Sequence, residues 1–294
     1  MKRIICLATT FSLMVVLFIS GCGGMKKQPV STSVPVDGVL AVHMLDIGQG
    51  DAILIQQGGE NLLVDSGDVG TRDKLIAQLK KCGVTKIDKL IVTHAHADHI
   101  GGLEAVFNNF SVGDVYDSGV SSTTKLYRDY LKTVKGKKIP FHAAKDGMDI
   151  SVGGAHITFF SLTAPVLKDG KPDLNNNSIV FRLHFGNFSM LFTGDMEQTA
   201  EDKLLGRYGS QLASQVLKVG HHGSKTSSST EFLKVVKPET ALISVGAGND
   251  YGHPHQAALR RLEQGKIKIW RTDQNGMITI ETDGKQPYIV RGER

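Results

Sequence analysis

Three histidines and one aspartate lie within six consecutive positions, residues 94–99, and this run restricts the fold more than any other feature of the chain. It follows residues 88–92, which have the length and β-branching of a buried strand. Residues 100–103 follow it and are typical of the start of a helix. Imidazole and carboxylate are ligands that zinc and related metals accept readily. The run therefore predicts a metal-binding loop between a strand and a helix, where functional groups are commonly displayed.

Other polar residues follow apolar, strand-like segments in the same way. Asp65, Asp195 and the adjacent His221 and His222 each come directly after such a segment. Strand ends in a layered α/β fold converge on one edge, so these groups can meet in space. The common pattern predicts one site and argues against the alternative of a solvated, histidine-rich turn.

These residues together resemble the metallo-β-lactamase superfamily over nearly all of the chain after about Val39. Five segments narrow the resemblance to the hydrolase domain of ComEC-type competence proteins: residues 42–52, 175–180, 192–195, 218–224 and 251–255. The resemblance implies an α/β fold of the metallo-β-lactamase type, an αββα sandwich in which two sheets lie between helical layers. The order of predicted elements agrees with that fold.

Periodicity predicts several of these elements directly. Apolar residues at helical spacing predict helices over residues 71–81, ending before Gly83, and over residues 126–134. Alternating residues 179–185, a Gly186-Asn187 turn and residues 188–193 predict a β-hairpin.

The resemblance implies a centre for one or two divalent ions, zinc or manganese, with seven candidate ligands: His94, His96, Asp98, His99, Asp195, His221 and His222. His94 and His96 would hold one ion, Asp98 and His99 the other. Asp195 would bridge both ions, and either His221 or His222 would complete the second site.

Two of these residues, and one further aspartate, have additional expected roles. Asp98 and His222 are the candidate catalytic residues, with Asp98 orienting the attacking water. Asp65 is the candidate acceptor that orients a histidine ligand. Its alternative role is that of an Asx-turn residue before Gly67.

The chain departs from the superfamily pattern at the ion that His94 and His96 would hold, called the first ion. Many members supply another histidine between the 94–99 run and the bridging aspartate, whereas His142, His156 and His184 here are interpreted as structural or surface residues. The resemblance places Asn177 and Ser178 in this region instead. The first ion is therefore expected to be held more weakly, or to use water or an amide oxygen. This departure argues against an antibiotic-hydrolysing lactamase.

Five residues are candidates for substrate contact: Asn177, Ser224, Lys225, His253 and His255. The two histidines flank Pro254 just before a predicted helix, and a helix N-terminus favours anions. The alternative is an ordinary helix cap with exposed histidines.

The leading hypothesis is a metal-dependent hydrolase, most specifically a phosphodiesterase or nuclease that acts on DNA and is linked to competence-type DNA uptake. A second hypothesis is hydrolysis of another surface phosphodiester such as phosphorylcholine. A third is a DNA-binding accessory that does not cut, which the intact ligand set disfavours. The formal charge of +5 permits an anionic substrate without requiring one. The sequence shows no nucleic-acid recognition motif and leaves the oligomeric state undefined.

The N-terminus has the pattern of an export signal. Lys2 and Arg3 precede the apolar residues 4–19, and Ser20-Gly21-Cys22 resembles a bacterial lipobox. The alternative is an uncleaved membrane anchor, for which the apolar stretch is short.

This pattern predicts three parts of the chain: residues 1–21 as a lipoprotein signal peptide, residues 22–38 as a flexible tether, and residues 39–294 as the hydrolase domain. Lipid on Cys22 would hold the domain at the extracytoplasmic face of the cell membrane. Cys82 would then remain as a buried, unpaired thiol, because Cys6 lies within the signal.

Overall fold

The computed structural model of the protein describes residues 38–162 and 164–294. Short apolar segments bounded by glycines and polar turns form its strands, which are β1 Leu40–Met44, β2 Ile53–Gln57, β3 Glu60–Val64, β4 Lys86–Val92, β5 Ser111–Asp117, β6 Phe141–Ala143, β7 Asp149–Val152, β8 Ala155–Phe160, β9 Leu167–Lys168, β10 Lys171–Pro172, β11 Val180–Phe185, β12 Phe188–Phe192, β13 Val216–Lys218, β14 Thr240–Ile243, β15 Lys268–Arg271, β16 Ile278–Thr282 and β17 Ile289–Gly292.

The helices connect these strands or cover them. They are α1 Arg72–Lys81, α2 Ala97–Ile100, α3 Leu103–Asn109, α4 Lys125–Gly136, α5 Gln198–Tyr208, α6 Thr230–Val236, α7 Gln256–Gln264 and α8 Thr272–Asn275. Short 3₁₀ helices span Val69–Thr71, Asn175–Asn177, Gly209–Leu212 and Gly220–Gly223. Each of these described helices is too short or too polar to span a membrane.

Two large sheets contain most of the strands. The first sheet has the order β17-β16-β1-β2-β3-β4-β5-β6, and the second has the order β15-β14-β13-β12-β11-β8-β7. Strands β3 to β6 are parallel, as are β12 to β15. Parallel neighbours end at the same edge of a sheet, so the loops after β3, β4, β12 and β13 come together.

Side chains alternate between two cores along the strands, as the pleat requires. Ile53 and Ile55 face the layer between the two sheets, where they join Phe159, Phe181 and other residues of the second sheet. Leu54 points to the opposite face and packs with residues of α1, α3 and α4. The outer face of the second sheet packs in the same way against α5, α6 and α7. The predicted αββα sandwich is confirmed.

The predicted local elements agree closely with the structure. Helix α1 ends at Lys81 with Cys82 as its cap, and Gly83 follows with a positive φ of 76°. The β11–β12 hairpin pairs Phe185 with Phe188 around the Gly186-Asn187 turn. The buried stripe of α4 consists of Tyr127, Tyr130 and Val134, and Cys82 is buried and unpaired. The predicted signal peptide, tether and Cys22 lie outside the described residues.

Replacing Asp117 with asparagine is expected to stabilise the domain at neutral pH. Asp117 ends β5 at 1% exposure and accepts hydrogen bonds from Gly119 N, Tyr127 Oη and Tyr130 Oη. Burial raises its pKa from 3.8 to about 6 despite these bonds. The carboxyl therefore favours folding only while protonated, and this contribution is lost as pH rises from about 4 through 6.

An amide keeps the shape without the charge, so the gain should be about 2–3 kcal/mol at pH 7 and close to zero at pH 4. Urea denaturation of both proteins across this pH range measures the difference. An equal or smaller stability of the variant at pH 7 would show that the carboxylate is well accommodated.

Candidate metal centre

The candidate metal centre lies where the carboxyl ends of parallel strands from both sheets meet. Asp65 follows β3, the histidine run follows β4, Asp195 lies three residues after β12, and His222 follows β13 within a 3₁₀ turn. These loops leave their sheets at the same edge. The polar residues that follow the strands therefore meet there, as the sequence pattern predicted.

Asp65 fixes the geometry of the 94–99 loop. It adopts a left-handed backbone (φ 56°), a conformation that aspartate tolerates better than most residues. Its Oδ1 accepts the backbone N–H of Thr93 (2.8 Å), and its Oδ2 accepts the Thr93 hydroxyl (2.6 Å) and lies 2.8 Å from His99 Nδ1. The contact fixes the His99 ring with Nε2 directed into the centre, an arrangement compatible with the predicted role of Asp65.

Asp98, His99, Asp195 and His222 form a group that we call the four-residue cluster. Their ligand atoms all lie within 4.8 Å of one another. Asp195 Oδ2 is 3.2 Å from His99 Nε2 and 3.4 Å from His222 Nε2, and Asp98 Oδ2 is 3.2 Å from His222 Nε2. Both Nε2 atoms are buried and form no directed hydrogen bond in the described protein. Two imidazoles and two carboxylates with such converging atoms fit a divalent cation.

The structure distinguishes between His221 and His222, which the sequence left open. His222 is 1% exposed, and its Nδ1 donates to the carbonyl of Ser244 (3.0 Å), so Nε2 is the atom available to a metal. His221 turns toward Glu197 (3.1 Å) and leaves its Nε2 3.9 Å from Asp195 Oδ2. Only His222 belongs to the four-residue cluster.

The second group of predicted ligands, His94 and His96, is called the histidine pair. His94 Nε2 lies 3.1 Å from His96 Nδ1 and 3.9 Å from Asp195 Oδ2. The Ser178 hydroxyl lies 3.3 Å from His94 Nδ1 on the other side of the ring. Burial and the neighbouring His99 hold the pKa of His94 well below its usual range, and burial lowers the pKa of His96. Both rings are therefore neutral at pH 7, the form that binds metals.

None of the three histidines between the 94–99 run and Asp195 joins the pair. His142 Nε2 lies 2.8 Å from Asp114 on the surface, and His156 pairs with His184 across β8 and β11, away from the strand ends. The interpretation of these three as structural or surface residues agrees with their positions. The histidine pair and Asp195 therefore make an incomplete set beside the four-residue cluster.

Two charged residues at the centre were missed by sequence reasoning. Lys218 ends β13 at 1% exposure, and its Nζ lies 2.5 Å from Asp51 Oδ2 and 3.8 Å from Asp195 Oδ1. It also donates to the carbonyl of Gly194 (2.9 Å). A lysine inside an otherwise apolar strand was the available signal, because lysine is almost never fully buried without a partner.

The carboxylates of the centre raise the pKa of two of its basic groups. Burial opposes ionisation of Lys218, but Asp51 and Asp195 outweigh it and raise the pKa of the amine. Burial likewise opposes protonation of His99, but Asp195, Asp98 and Asp65 hold the pKa of its ring well above the usual range. The carboxylates thus attract either protons or a metal ion, and metal binding releases protons.

Four of the predicted substrate residues lie near the centre or next to one that does. His253 lies beside the centre, with its ring 6.2 Å from that of His222 and 4.8 Å from that of His255. His255 Nδ1 accepts the backbone N–H of Lys225 (3.0 Å). Ser224 is buried and bonds to Thr226.

The side chain of Asn177, a predicted substrate contact, forms hydrogen bonds within the protein. The Asn177 amide bonds to the backbone N–H and carbonyl of Val166 and to the carbonyl of Asp173. These contacts use both ends of the amide to close the loop before β11. Ser178 follows this loop and lies 3.3 Å from His94 Nδ1. Asn175, at the start of the turn, lies beside His96.

The two-sheet sandwich and the ligand groups at its edge define a metal-binding protein of the metallo-hydrolase type. Residues 45–247 match the family model of the metallo-beta-lactamase superfamily, and the chain belongs to this superfamily. The predicted family and its narrower likeness to competence proteins are both confirmed.

Competence protein ComA of Neisseria gonorrhoeae is 35% identical over 239 residues, which cover 81% of this chain and 32% of that protein. ComE operon protein 3 of Bacillus subtilis is 34% identical over 262 residues, with the same coverage. The chain thus spans about a third of the length of these relatives. The crystal structure of YhfI from Bacillus subtilis, a metallo-beta-lactamase fold protein, matches with a TM-score of 0.55 at 15% identity. The match covers 83% of this chain and 100% of that one. At this identity, the likeness supports the fold alone.

Proposed function

We propose that this chain is a metal-dependent phosphodiesterase that hydrolyses DNA. The observation that carries the proposal is the four-residue cluster beside the histidine pair, with Asp195 within 4 Å of members of both. Asp195 and His99 are buried, whereas the side chains of Asp98 and His221 are 26% and 24% exposed. The centre is therefore enclosed by protein on one side and open to a substrate on the other.

Divalent ions at such a centre activate water and stabilise negative charge on phosphoryl oxygens. The partly exposed carboxylate of Asp98 would orient the attacking water, and the proton of that water would pass to the solvent. The water oxygen bonds to phosphorus, the bond from phosphorus to the leaving sugar oxygen breaks, and that oxygen takes up a proton. His222 keeps its position through Ser244, so it contributes a fixed ligand rather than a mobile base.

DNA is the proposed substrate because of the surroundings of the centre and the names of the relatives. Lys225 and His255 lie at the open side, joined by a hydrogen bond, and His253 lies between them and His222. A lysine there would contact phosphate, so binding should weaken as salt increases. The competence names of the matched relatives support nucleic acid over other phosphodiesters.

Tyr251 adds an aromatic surface that the sequence did not reveal. Its side chain is 65% exposed and stacks on His253 with ring centroids 5.7 Å apart at 21°. The outer ring face is open to an unstacked base, and base–aromatic stacking contributes about 1–3 kcal/mol. We expect Tyr251→Ala to raise KM for single-stranded DNA roughly 5- to 150-fold and Tyr251→Phe to leave it nearly unchanged. Equal KM values for the alanine variant and the original protein would exclude this contact.

The test of the proposed function is cleavage by the domain from Val39 onward after chelation and return of zinc or manganese. Linear single- and double-stranded DNA and a small phosphodiester, bis(p-nitrophenyl) phosphate, are compared. The proposal expects DNA cleavage that requires metal. Cleavage of the small diester with intact DNA would favour the alternative of another surface phosphodiester. DNA binding without any cleavage would favour the accessory role.

We further propose that lipid on Cys22 anchors the domain at the extracytoplasmic membrane face. The supporting pattern is the apolar stretch that ends in Ser20-Gly21-Cys22. Cys22→Ala is expected to abolish incorporation of labelled fatty acid and to leave the signal unprocessed, whereas Cys6→Ala serves as the matched control and keeps both. Labelling of the Cys22 variant at the original level would reject the lipid anchor.

A further inference from the structure

Four consecutive polar residues, Asn175 to Ser178, lie beside the histidine pair, and three of them are fully used by the protein. Asn176 Oδ1 accepts the backbone N–H groups of Glu197 and Ala200 (both 3.2 Å). Asn176 Nδ2 donates to Asp173 (3.1 Å). Asn177 closes the preceding loop, as described above. These bonds hold the segment as a rigid 3₁₀ turn, Asn175–Asn177.

Ser178 links this turn to the centre. Its hydroxyl accepts the backbone N–H of Asp195 (3.1 Å) and lies 3.3 Å from His94 Nδ1. Asn175 begins the same turn three residues earlier, and its side chain lies beside His96.

Asn175 is the member of this run whose amide oxygen has no well-aligned hydrogen bond in the described protein, although the atom is buried. Its side chain lies beside His96, close enough to raise the pKa of that ring against the effect of burial. An acceptor left in this state costs free energy, and such an atom in a native structure calls for an explanation. A cation beside it would satisfy the oxygen.

The neighbouring histidine pair lacks a ligand. His94 Nε2 and His96 Nδ1 converge at 3.1 Å, with Asp195 Oδ2 3.9 Å from the former. Three protein atoms are one short of a closed tetrahedral set. We propose that Asn175 Oδ1 is a protein ligand of the ion at the histidine pair, in the place where the chain lacks a third histidine.

The proposal rests on the metal centre of the proposed function and not on its DNA substrate. An amide oxygen is a neutral, hard ligand, and such oxygens suit magnesium and manganese better than zinc. The ion at the histidine pair should therefore bind more weakly than the ion at the four-residue cluster, and it should tolerate oxygen-preferring metals.

The test is cobalt(II) titration of the chelator-treated full domain, followed by calorimetry and visible absorption. We expect the original protein to bind two equivalents with different affinities. Asn175→Ala should weaken the lower-affinity site by about tenfold or more and leave the other within twofold. Asn109→Ala, an exposed asparagine at the end of α3, is the matched control and should leave both sites unchanged.

Two further variants separate direct ligation from support of the His96 ring. Asn175→Asp and Asn175→His each supply a ligand atom, so both should recover two equivalents, and each should give its own shift of the cobalt absorption bands. Loss of the weaker site in all three variants, with no new spectrum, would mean that Asn175 acts only through His96 and would overturn the proposal.

The proposal also fails if Asn175→Ala binds two equivalents as tightly as the original protein, or if the original protein binds a single equivalent. Neither result would affect hydrolysis at the four-residue cluster. An original protein that binds no cobalt would instead overturn the proposed function together with this ligand.

Discussion

Replacing Asp195 with alanine is expected to lower metal-dependent turnover by roughly a thousandfold and to weaken metal binding at both groups of ligands. Asp195 Oδ2 lies 3.2 Å from His99 Nε2, 3.4 Å from His222 Nε2 and 3.9 Å from His94 Nε2. No other carboxylate in the described residues lies within 4 Å of both groups. Its loss would therefore remove the one described carboxylate that ions at both groups could share.

The fold should survive this change, because the Asp195 backbone is held by Ser178 rather than by its own side chain. His96→Ala is the matched comparison, since His96 belongs to the histidine pair alone and is partly exposed. Metal analysis should show close to one ion lost in His96→Ala, and binding weakened at both positions in Asp195→Ala. Full metal content with normal turnover in both variants would contradict the assignment of these ligands.

Local patterns were sufficient to predict most of the elements that carry the centre. The alternation in residues 179–185 and the Gly186-Asn187 turn predicted a hairpin. In the structure its two strands pair from Phe181 opposite Phe192 to Phe185 opposite Phe188. The spacing of Leu75 and Leu79 predicted α1, whose end is one residue before its Cys82 cap. These signals are strong because each depends on contacts within a few residues, or on one continuous apolar face.

The choice between His221 and His222 was beyond the sequence for a geometric reason. Both residues adopt left-handed backbone conformations, with φ of 47° and 52°, at a kink within residues 220–223. The direction of either side chain is therefore not set by a regular helix or strand. Which one enters the centre depends on the position of Ser244 and Glu197, and these belong to other segments.

The local contacts of Asn177 were beyond the sequence for a similar reason. The sequence placed an amide near the first ion, but the 3₁₀ turn directs Asn177 toward Val166 and leaves Asn175 beside His96. A shift of two positions in such a turn changes the direction of a side chain completely. Motif position alone therefore identifies the segment and does not identify the contacting residue.

Lys218 and Asp51 were missed because their contact joins the two sheets. They lie far apart in the chain, and Lys218 occupies a strand whose other residues, Val216 and Leu217, are fully buried and apolar. The pairing becomes visible only when the sheets are packed. It places a fixed positive charge 3.8 Å from Asp195 and next to the four-residue cluster.

Lys218→Met is expected to destabilise the chelator-treated domain by about 3–5 kcal/mol at pH 7–8, because it leaves Asp51 buried and uncompensated. Burial alone would raise the pKa of Asp51, but Lys218 and His222 lower it to about 2. In the original protein this pair therefore adds stability above about pH 4, the unfolded value, and loses it as pH falls toward 2. In the variant, Asp51 should take up a proton well above that range.

The difference in stability between the original protein and Lys218→Met should therefore shrink as pH falls from 8 toward 5, which urea denaturation measures directly. Asp51→Asn combined with Lys218→Met removes both charges and should recover much of the loss, since neutral replacement of a buried pair is tolerated better than removal of one partner. Lys203→Met, an exposed lysine on α5, is the control and should change stability by less than about 0.5 kcal/mol. A Lys218 variant as stable as this control at pH 8 would show that the Asp51 charge is balanced by other groups of the centre, and that the lysine is not needed to hold the acidic ligands together.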